Sequence, residues 1–372
     1  MANNIFYRVS PILFSIVGMS LSLNLFFIVL PLRMQEAGIL SAQVGIAMGM
    51  FAAGSVLAGL LGAKVVSRVG HIRAFATMAA TLSIVAIIHT FLESFAITTV
   101  LRIVAGFCFI TSFITLESWL NVTSDSSNRG KLFSVYQIFF AIGFGSAPFV
   151  MSAMSGTDMR LFGVISALLA VSLIIMAMSR MPAPELPERS RPMPFRELWK
   201  LSPSGTLSCL VAGSIGTASV SLIALYAYSR GFSGTVLSII LGSYMLGGLL
   251  TQYPTGWFAD RFDKRVVGSV LMLIGIISNT VIILDYYNPL PTELVVTFFL
   301  LSGGAGAAIF PLAVTQVFDH IDSKEALPAT SMMQILLGVG GVVGPIVAGT
   351  MMEWFSEVWL YFYVIALHIL LM

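Results

Sequence analysis

The sequence predicts an all-α membrane protein of twelve transmembrane helices, built as two pseudo-symmetric six-helix bundles. Composition is the first reason. Of 372 residues, 57% are hydrophobic and 10% charged, against roughly a quarter charged in soluble domains. A single soluble core stops growing at roughly 250–300 residues, so the surplus apolar surface calls for a bilayer. The second reason is run length: the apolar residues come in continuous runs near the ~20 that carry a helix across ~30 Å of hydrocarbon. Alternating segments of about ten residues, the mark of a barrel, are not the pattern. The third reason is an internal repeat, described below.

In chain order the apolar runs cover 11–33, 42–63, 74–93, 96–119, 132–154 and 161–180 in the first half. The second half supplies 205–229, 234–256, 266–285, 293–317, 329–351 and 354–372. The first run follows only a short polar lead, Met1 to Ser10, and no small-residue cleavage pattern follows it, so it reads as a retained helix. Between the halves, 181–203 is rich in proline and charge and reads as a linker. The expected organisation is a bundle over 1–180, a cytoplasmic linker over 181–203 and a bundle over 204–372.

With the N-terminus placed in the cytoplasm, fifteen of the 19 basic residues fall on the inner side. They cluster at Lys64–Arg73, Arg129–Lys131, Arg180–Lys200 and Arg261–Arg265, while Arg33, Arg102, Arg160 and Arg230 lie toward the outside. This bias predicts a multi-pass protein of the inner (plasma) membrane with both termini cytoplasmic. A net charge of +2 gives no ground for nucleic-acid binding. Cys108 and Cys209 sit in separate apolar runs and form no disulfide framework.

The repeat is clearest in the fifth and eleventh runs. Ser134, Gln137, Ile138, Gly143 and Pro148 recur as Ser331, Gln334, Ile335, Gly340 and Pro345, at a constant offset of 197 residues. The loops after the second and eighth runs recur at an offset of 193, Arg68 matching Arg261. Repeated bundles of this kind place polar sites at their interface near the midplane.

The loop after the eighth run reads Gly256-Trp-Phe-Ala-Asp260-Arg261-Phe-Asp263-Lys264-Arg265. It closely resembles the G-x-x-x-D-R-x-G-R-R signature of the major facilitator superfamily, departing from it at Asp263, where glycine is usual. Its counterpart keeps Arg68 and Gly70 but has Ser67 in the acidic position. Arg102-Ile-Val-Ala-Gly106 resembles the family's R-x-x-x-G element, and Gly340-Gly-Val-Val-Gly344-Pro345 resembles the glycine–proline motif of its exporters. That motif belongs on the fifth helix, where Gly143, Gly145 and Pro148 remain. Glu117-Ser-Trp-Leu-Asn121 followed by Arg129-Gly130 further resembles the YcaD-type branch. The resemblance spans essentially the whole chain. It implies the major facilitator fold and a secondary active transporter working by alternating access, with a small-molecule substrate and no cofactor.

On that reading the two loops form a cytoplasmic latch, with Arg68–Glu117 and Arg261–Asp319 as symmetric gate pairs. Asp260 would cap the fifth helix of the other half, since carboxylates favour helix N-termini. The alternative is that these are ordinary interfacial charges. Arg102 lies within hydrocarbon, where an arginine costs roughly 2.5–3.5 kcal/mol at the helix centre. It would contact an anion, modulate a proton carrier, or snorkel to the outer interface. Asn24, Thr111, Thr115, Gln137, Tyr226, Tyr228, Tyr244, Gln316 and Gln334 are further candidates for a polar cavity. Singly, such Ser and Thr residues more often bond their own helix or a neighbour. Gly143, Pro148, Gly340, Gly344 and Pro345 would bend or pack their helices.

No phosphate-binding loop and no metal-ligand spacing is present, which argues against direct ATP drive and against an enzyme. Proton-coupled efflux, as an antiporter, is the leading expectation, with protons and lipid as partners and a monomer as the working unit. Glu117 is its foremost carboxylate, and Glu93 and Asp285 follow. Import of a small organic anion through Arg102 is the alternative, and a non-transporting membrane sensor on the same fold is a third.

Overall fold

The computed structural model describes residues 3–372 apart from 93, 125–127, 155, 180–191 and 322–324. The described residues are helical throughout: α1 Asn3–Glu36, α2 Ser41–Val69, α3 His71–Phe91, α4 Phe95–Thr123, α5 Arg129–Ser152, α6 Arg160–Ala177, α7 Phe195–Leu201, α8 Pro203–Ser229, α9 Gly234–Ala259, α10 Lys264–Tyr287, α11 Thr292–Phe318, α12 Ala326–Trp354 and α13 Trp359–Leu371. Eleven of them are long and apolar enough to cross a bilayer.

Several helices extend past their apolar runs because polar residues continue the backbone ladder to the membrane surface. The expected second run stops at 63, for example, while α2 continues through Lys64 and Arg68 to Val69. The last expected run, 354–372, is shorter in the structure. Trp354 closes α12, a turn follows, and α13 has 13 residues, about 20 Å of helix at ~1.5 Å per residue. Residues 181–191 of the expected linker lie outside the described residues. Its end instead forms α7, whose Leu198 is buried in a small cluster with Val317, Ala329 and Met333. The Met193 N–H donates to the Pro328 carbonyl at 3.0 Å.

The packing repeats. In the first half α2 packs on α4, α1 on α5 and α6, and α3 on α4 and α6. In the second half α9 packs on α11, α8 on α12 and α13, and α10 on α11 and α13. Between the halves α2 meets α12, α9 meets α5, and α1 meets α8. Each pairing has its twin once α1 through α6 are laid on α8 through α13 with α7 left out.

Small residues make this possible. Lipid tails are as apolar as leucine, so helices gain little by hiding apolar surface from them and must gain by close packing. A Cβ at Gly54 would overlap the Ile103 carbonyl, and one at Gly106 the Phe51 carbonyl. In the second half Gly247 abuts the Leu300 carbonyl and Gly303 the Tyr244 carbonyl, in the same register. Gly143 rides on the Val17 carbonyl of α1, as Gly340 rides on the Leu210 carbonyl of α8.

The two signature loops also explain their one difference. Gly70 turns the chain between α2 and α3 at φ 85, a left-handed conformation that favours glycine. Asp263 instead caps α10, its Oδ1 accepting from the Arg265 N–H at 2.8 Å. The aspartate therefore fits a different turn.

Candidate functional site

Asn24, Gln137 and Gln334 lie along the seam between the halves, which is closed at one end and parted at the other. The closed end is the one where α2, α4, α9 and α11 begin. The Ser41 N–H donates to Glu353 Oε2 at 2.8 Å. Gly45 lies on the Pro345 carbonyl and Gly349, and Gly49 on the Val342 carbonyl. Ala52 meets Gly341, and Val56 meets Gly338. On the other flank Ser238 donates its hydroxyl to the Pro148 carbonyl at 2.6 Å, and Phe149 packs over Gly242.

Midway along the seam, Asn24 of α1 donates to the Phe144 carbonyl of α5 at 2.6 Å. It also approaches Met245 Sδ of α9 at 3.0 Å. Thr217 of α8 stands in the same relation to Gly341 of α12 and Ala52 of α2. Asn24 thus ties both halves together at the barrier.

Beyond that level the same helix faces separate. The α2 face that carries Gly45, Gly49, Ala52 and Val56 continues to Gly59, which has nothing near it, and to Leu60, 48% exposed. The α9 face that carries Ser238 and Gly242 continues to Leu249 and to Tyr253, 80% exposed. Gln334 lies one turn past Gly338 on α12, and Gln137 is its repeat partner on α5; both are exposed. The two glutamines occupy equivalent places on the parted end of the seam. That is the end carrying the basic loops after α2, α4 and α9.

Arg102 is fully buried, and none of its three guanidinium nitrogens has a hydrogen-bond partner. Its charge is held between rings: 4.8 Å from the Phe27 centroid and 4.6 Å from that of Phe51, distances at which a cation gains from the ring face. It does not snorkel. Gly106, one turn on, lets α4 press on the α2 backbone at Phe51 and so sets the guanidinium against that ring. The repeat places Phe299 where Arg102 stands, so the buried cation belongs to one half alone.

The remaining candidates scatter. Thr111 and Thr115 are buried in the first half; Thr111 faces Gly62 of α2, and Thr115 donates to the Thr111 carbonyl at 2.7 Å. Tyr226 donates to the Ile282 carbonyl at 3.1 Å inside an aromatic cluster with Tyr361 and Phe299, away from the seam. Tyr228 is 46% exposed. Tyr244 is buried against Gly303 and Gly306. Gln316 lines a separate cavity within the second half.

The latch differs from expectation. Asp319 pairs with Lys264, which approaches it from the first turn of α10. Arg261 turns back along its own helix, its guanidinium 3.8 Å from the Trp257 ring centroid. Among the described residues no ion pair joins Arg261 to Asp319 or Arg68 to Glu117. Glu117 is instead exposed and accepts from the Tyr136 hydroxyl at 3.5 Å. Asp260 ends α9 on the surface and, among the described residues, caps no helix of the first half, and Gly256 has open space beside it. Each expected pair lies within one half, and in the second half Lys264 takes the place beside Asp319 that Arg261 was expected to fill.

Glu93 lies outside the described residues. Asp285 is committed to structure: Oδ1 accepts from the Leu290 N–H at 2.9 Å, and Oδ2 lies 3.5 Å from Arg230. Among the described residues no group of His, Cys, Asp and Glu could hold a metal. Phe27, Phe51, Thr217, Met245 and Tyr136 were not legible as site residues, since an aromatic or small residue in an apolar run carries no signal of its own.

The family model of the Major Facilitator Superfamily matches residues 12–204 and 204–372. The MFS-type transporter YcaD of Salmonella arizonae is 19% identical over 94% of this chain and 90% of its own length. That of Escherichia fergusonii is 20% identical over 88% and 84%. Among solved structures, a mutant of the nucleoside transporter NupG superposes with a TM-score of 0.84 at 15% identity, covering 98% of both chains. A bacterial homologue of the human lysosomal transporter Spinster, inward-facing and occupied, superposes with a TM-score of 0.78 at 14% identity, over 98% of this chain and 94% of its own.

Proposed function

The chain belongs to the Major Facilitator Superfamily, and we propose that it is a secondary active transporter exporting a small solute from the cytoplasm in exchange for protons. Two lobes, residues 1–180 and 204–372, rock about the seam, joined by the segment 181–203. One observation carries this reading: the symmetric helix faces touch from Ser41–Glu353 to Val56–Gly338 and part beyond. Contacts of glycine on carbonyl, with few hydrogen bonds, suit an interface that must break and remake. The parted, basic end is cytoplasmic on this reading, in the inner membrane, and the solute enters past Gln137 and Gln334.

Glu117 is the proton carrier in this scheme. It is the carboxylate of α4, and Tyr136 stands within reach to relay or hold a proton. One proton moving through 100 mV supplies about 2.3 kcal/mol, enough to drive a useful gradient without ATP. The working unit is a monomer.

A second reading, import of a small organic anion, has its own observation: the unpaired Arg102. When the closed end opens, Phe27 and Phe51 would uncover a cation facing the outside. Purified protein in liposomes with an imposed pH gradient separates the two. Solute-dependent proton movement is expected for export. Uptake of anions that stops with Arg102→Ala, without proton movement, would replace it with import. No flux over a broad panel of solutes would remove both.

A further inference from the structure

The first-half wall of the parted seam carries two rungs that join α4 to α5. Phe113 meets Phe140 edge to face, with centroids 5.8 Å apart. One turn further toward the basic end the Tyr136 hydroxyl donates to Glu117 Oε1 at 3.5 Å. Phe140 also stacks on Phe144, at 5.6 Å and 14°, and the Phe144 carbonyl takes the Asn24 bond at the barrier. Rings and carboxylate thus follow one another from the barrier to the basic mouth. α3 and α6 close the first half behind α1 and α4, while α5 stands against α9. A bridge from α4 to α5 therefore crosses the face turned to the second half, and all three rings on it are half-buried.

The carboxylate is uncompensated. Between their charged ends, α1, α2, α4, α5, α8, α9, α11 and α12 hold two charged side chains, Arg102 and Glu117. Arg102 lies fifteen residues away on the same helix, about 22 Å at ~1.5 Å per residue, and is held between Phe27 and Phe51. Among the described residues no cation pairs with Glu117. The repeat gives the second half no matching acid: at the offset of 197, Phe113 recurs as Phe310 and Glu117 as Val314. A carboxylate within a membrane bundle favours a partner of opposite sign, and ring faces attract cations. Both features ask for a cation, and the rings add a surface on which an aromatic group packs. The rungs also set a spacing. Successive helical turns are ~5.4 Å apart, so the charge and the ring centre of the solute stand about 5 Å from each other.

We propose that the solute is an arylalkylamine of the phenethylamine type, its ammonium on Glu117 and its ring against Phe113 and Phe140. The proposal rests on the parted end being the path of the solute, as the export reading has it.

The test is isothermal titration of the full purified chain with phenethylamine at neutral pH, where the amine is charged. Saturable binding is expected, about tenfold tighter than that of phenylacetate, which shares the ring with the opposite charge, or of tetramethylammonium, which lacks the ring. Benzylamine and phenylbutylamine, with shorter and longer spacers, should bind more weakly than phenethylamine. Glu117→Gln should weaken binding about tenfold, the loss of one charge-assisted contact, and exchange in that variant should need proportionately more solute. Phe113→Leu should weaken it about threefold. Phe139→Leu, whose ring meets Phe14 of α1 instead, should leave it unchanged. Phenylacetate or tetramethylammonium bound as tightly, equal affinity at every spacer length, or unchanged affinity in a folded Glu117→Gln protein overturns the proposal. Proton-linked flux of another solute with no amine bound overturns it and leaves the export reading standing. Amine binding without flux in liposomes removes the export reading and leaves the site.

Discussion

Replacing Gly45 by valine should shift the balance between the two orientations of the lobes. A Cβ at residue 45 would overlap the Pro345 carbonyl oxygen and stand 3.1 Å from Gly349 Cα, so α2 and α12 would have to separate by about an ångström. Overpacking of this kind costs ~1–3 kcal/mol. The cost falls only on the orientation in which Gly45 meets Pro345; an orientation with that end open does not feel it. The equilibrium should therefore move by roughly 5–150-fold toward the opposite orientation. Leu60→Cys provides the reporter, since Leu60 is 48% exposed at the parted end and the native Cys108 and Cys209 are buried. Labelling by a membrane-impermeant maleimide from the basic side should slow when Gly45→Val is added, in proportion to the fall in the population with that end parted. Gly106→Val is the control. It creates the same overlap, with the Phe51 carbonyl, but within one half, so it should lower thermal stability and leave the labelling ratio unchanged. Unchanged labelling in a folded Gly45→Val protein would refute the reasoning.

Asn24→Leu removes the 2.6 Å bond to the Phe144 carbonyl and leaves that oxygen without its side-chain donor, a loss of ~1–3 kcal/mol; the thermal midpoint and the flux should both fall. Arg102→Leu should do the reverse to stability, because it removes a buried charge with no hydrogen-bond partner; a lower midpoint would show that the rings stabilise the cation more than burial costs. Glu117→Gln should abolish flux driven by a pH gradient while solute exchange across the same liposomes continues. Lys264→Ala should change stability by less than ~1 kcal/mol, since the pair with Asp319 is half open to solvent; a thiol-reactive melting assay would show a larger loss if the pair were structural.

The bundle was readable because membrane helices announce themselves by length and polarity, and eleven of the twelve expected runs match helices of spanning length. The short helix within 181–203 was not legible, because prolines and charges conceal the apolar stripe that docks Leu198. The repeat was visible through Gln137 and Gln334, yet its firmest expression was not. Gly54 and Gly106 against Gly247 and Gly303 form reciprocal contacts that only a register can reveal, since single glycines in apolar runs look alike. Charge identity without distance misled at the latch: Arg261 and Lys264 share a loop, and α10 brings Lys264 to Asp319. Arg102 was legible as a costly residue, whereas the rings around it, Phe27 and Phe51, come from two other helices.

The most direct test of the rocking seam is a pair of distance measurements by electron paramagnetic resonance on spin-labelled protein in liposomes. One pair, at Leu60 and Gln334, spans the parted end; the other, at Ala37 and Glu353, spans the closed end. Two populations are expected at each pair, with solute or a pH gradient lengthening one distance as it shortens the other. Single, unmoving distances at both ends under every gradient and solute tried would contradict alternating access in this chain.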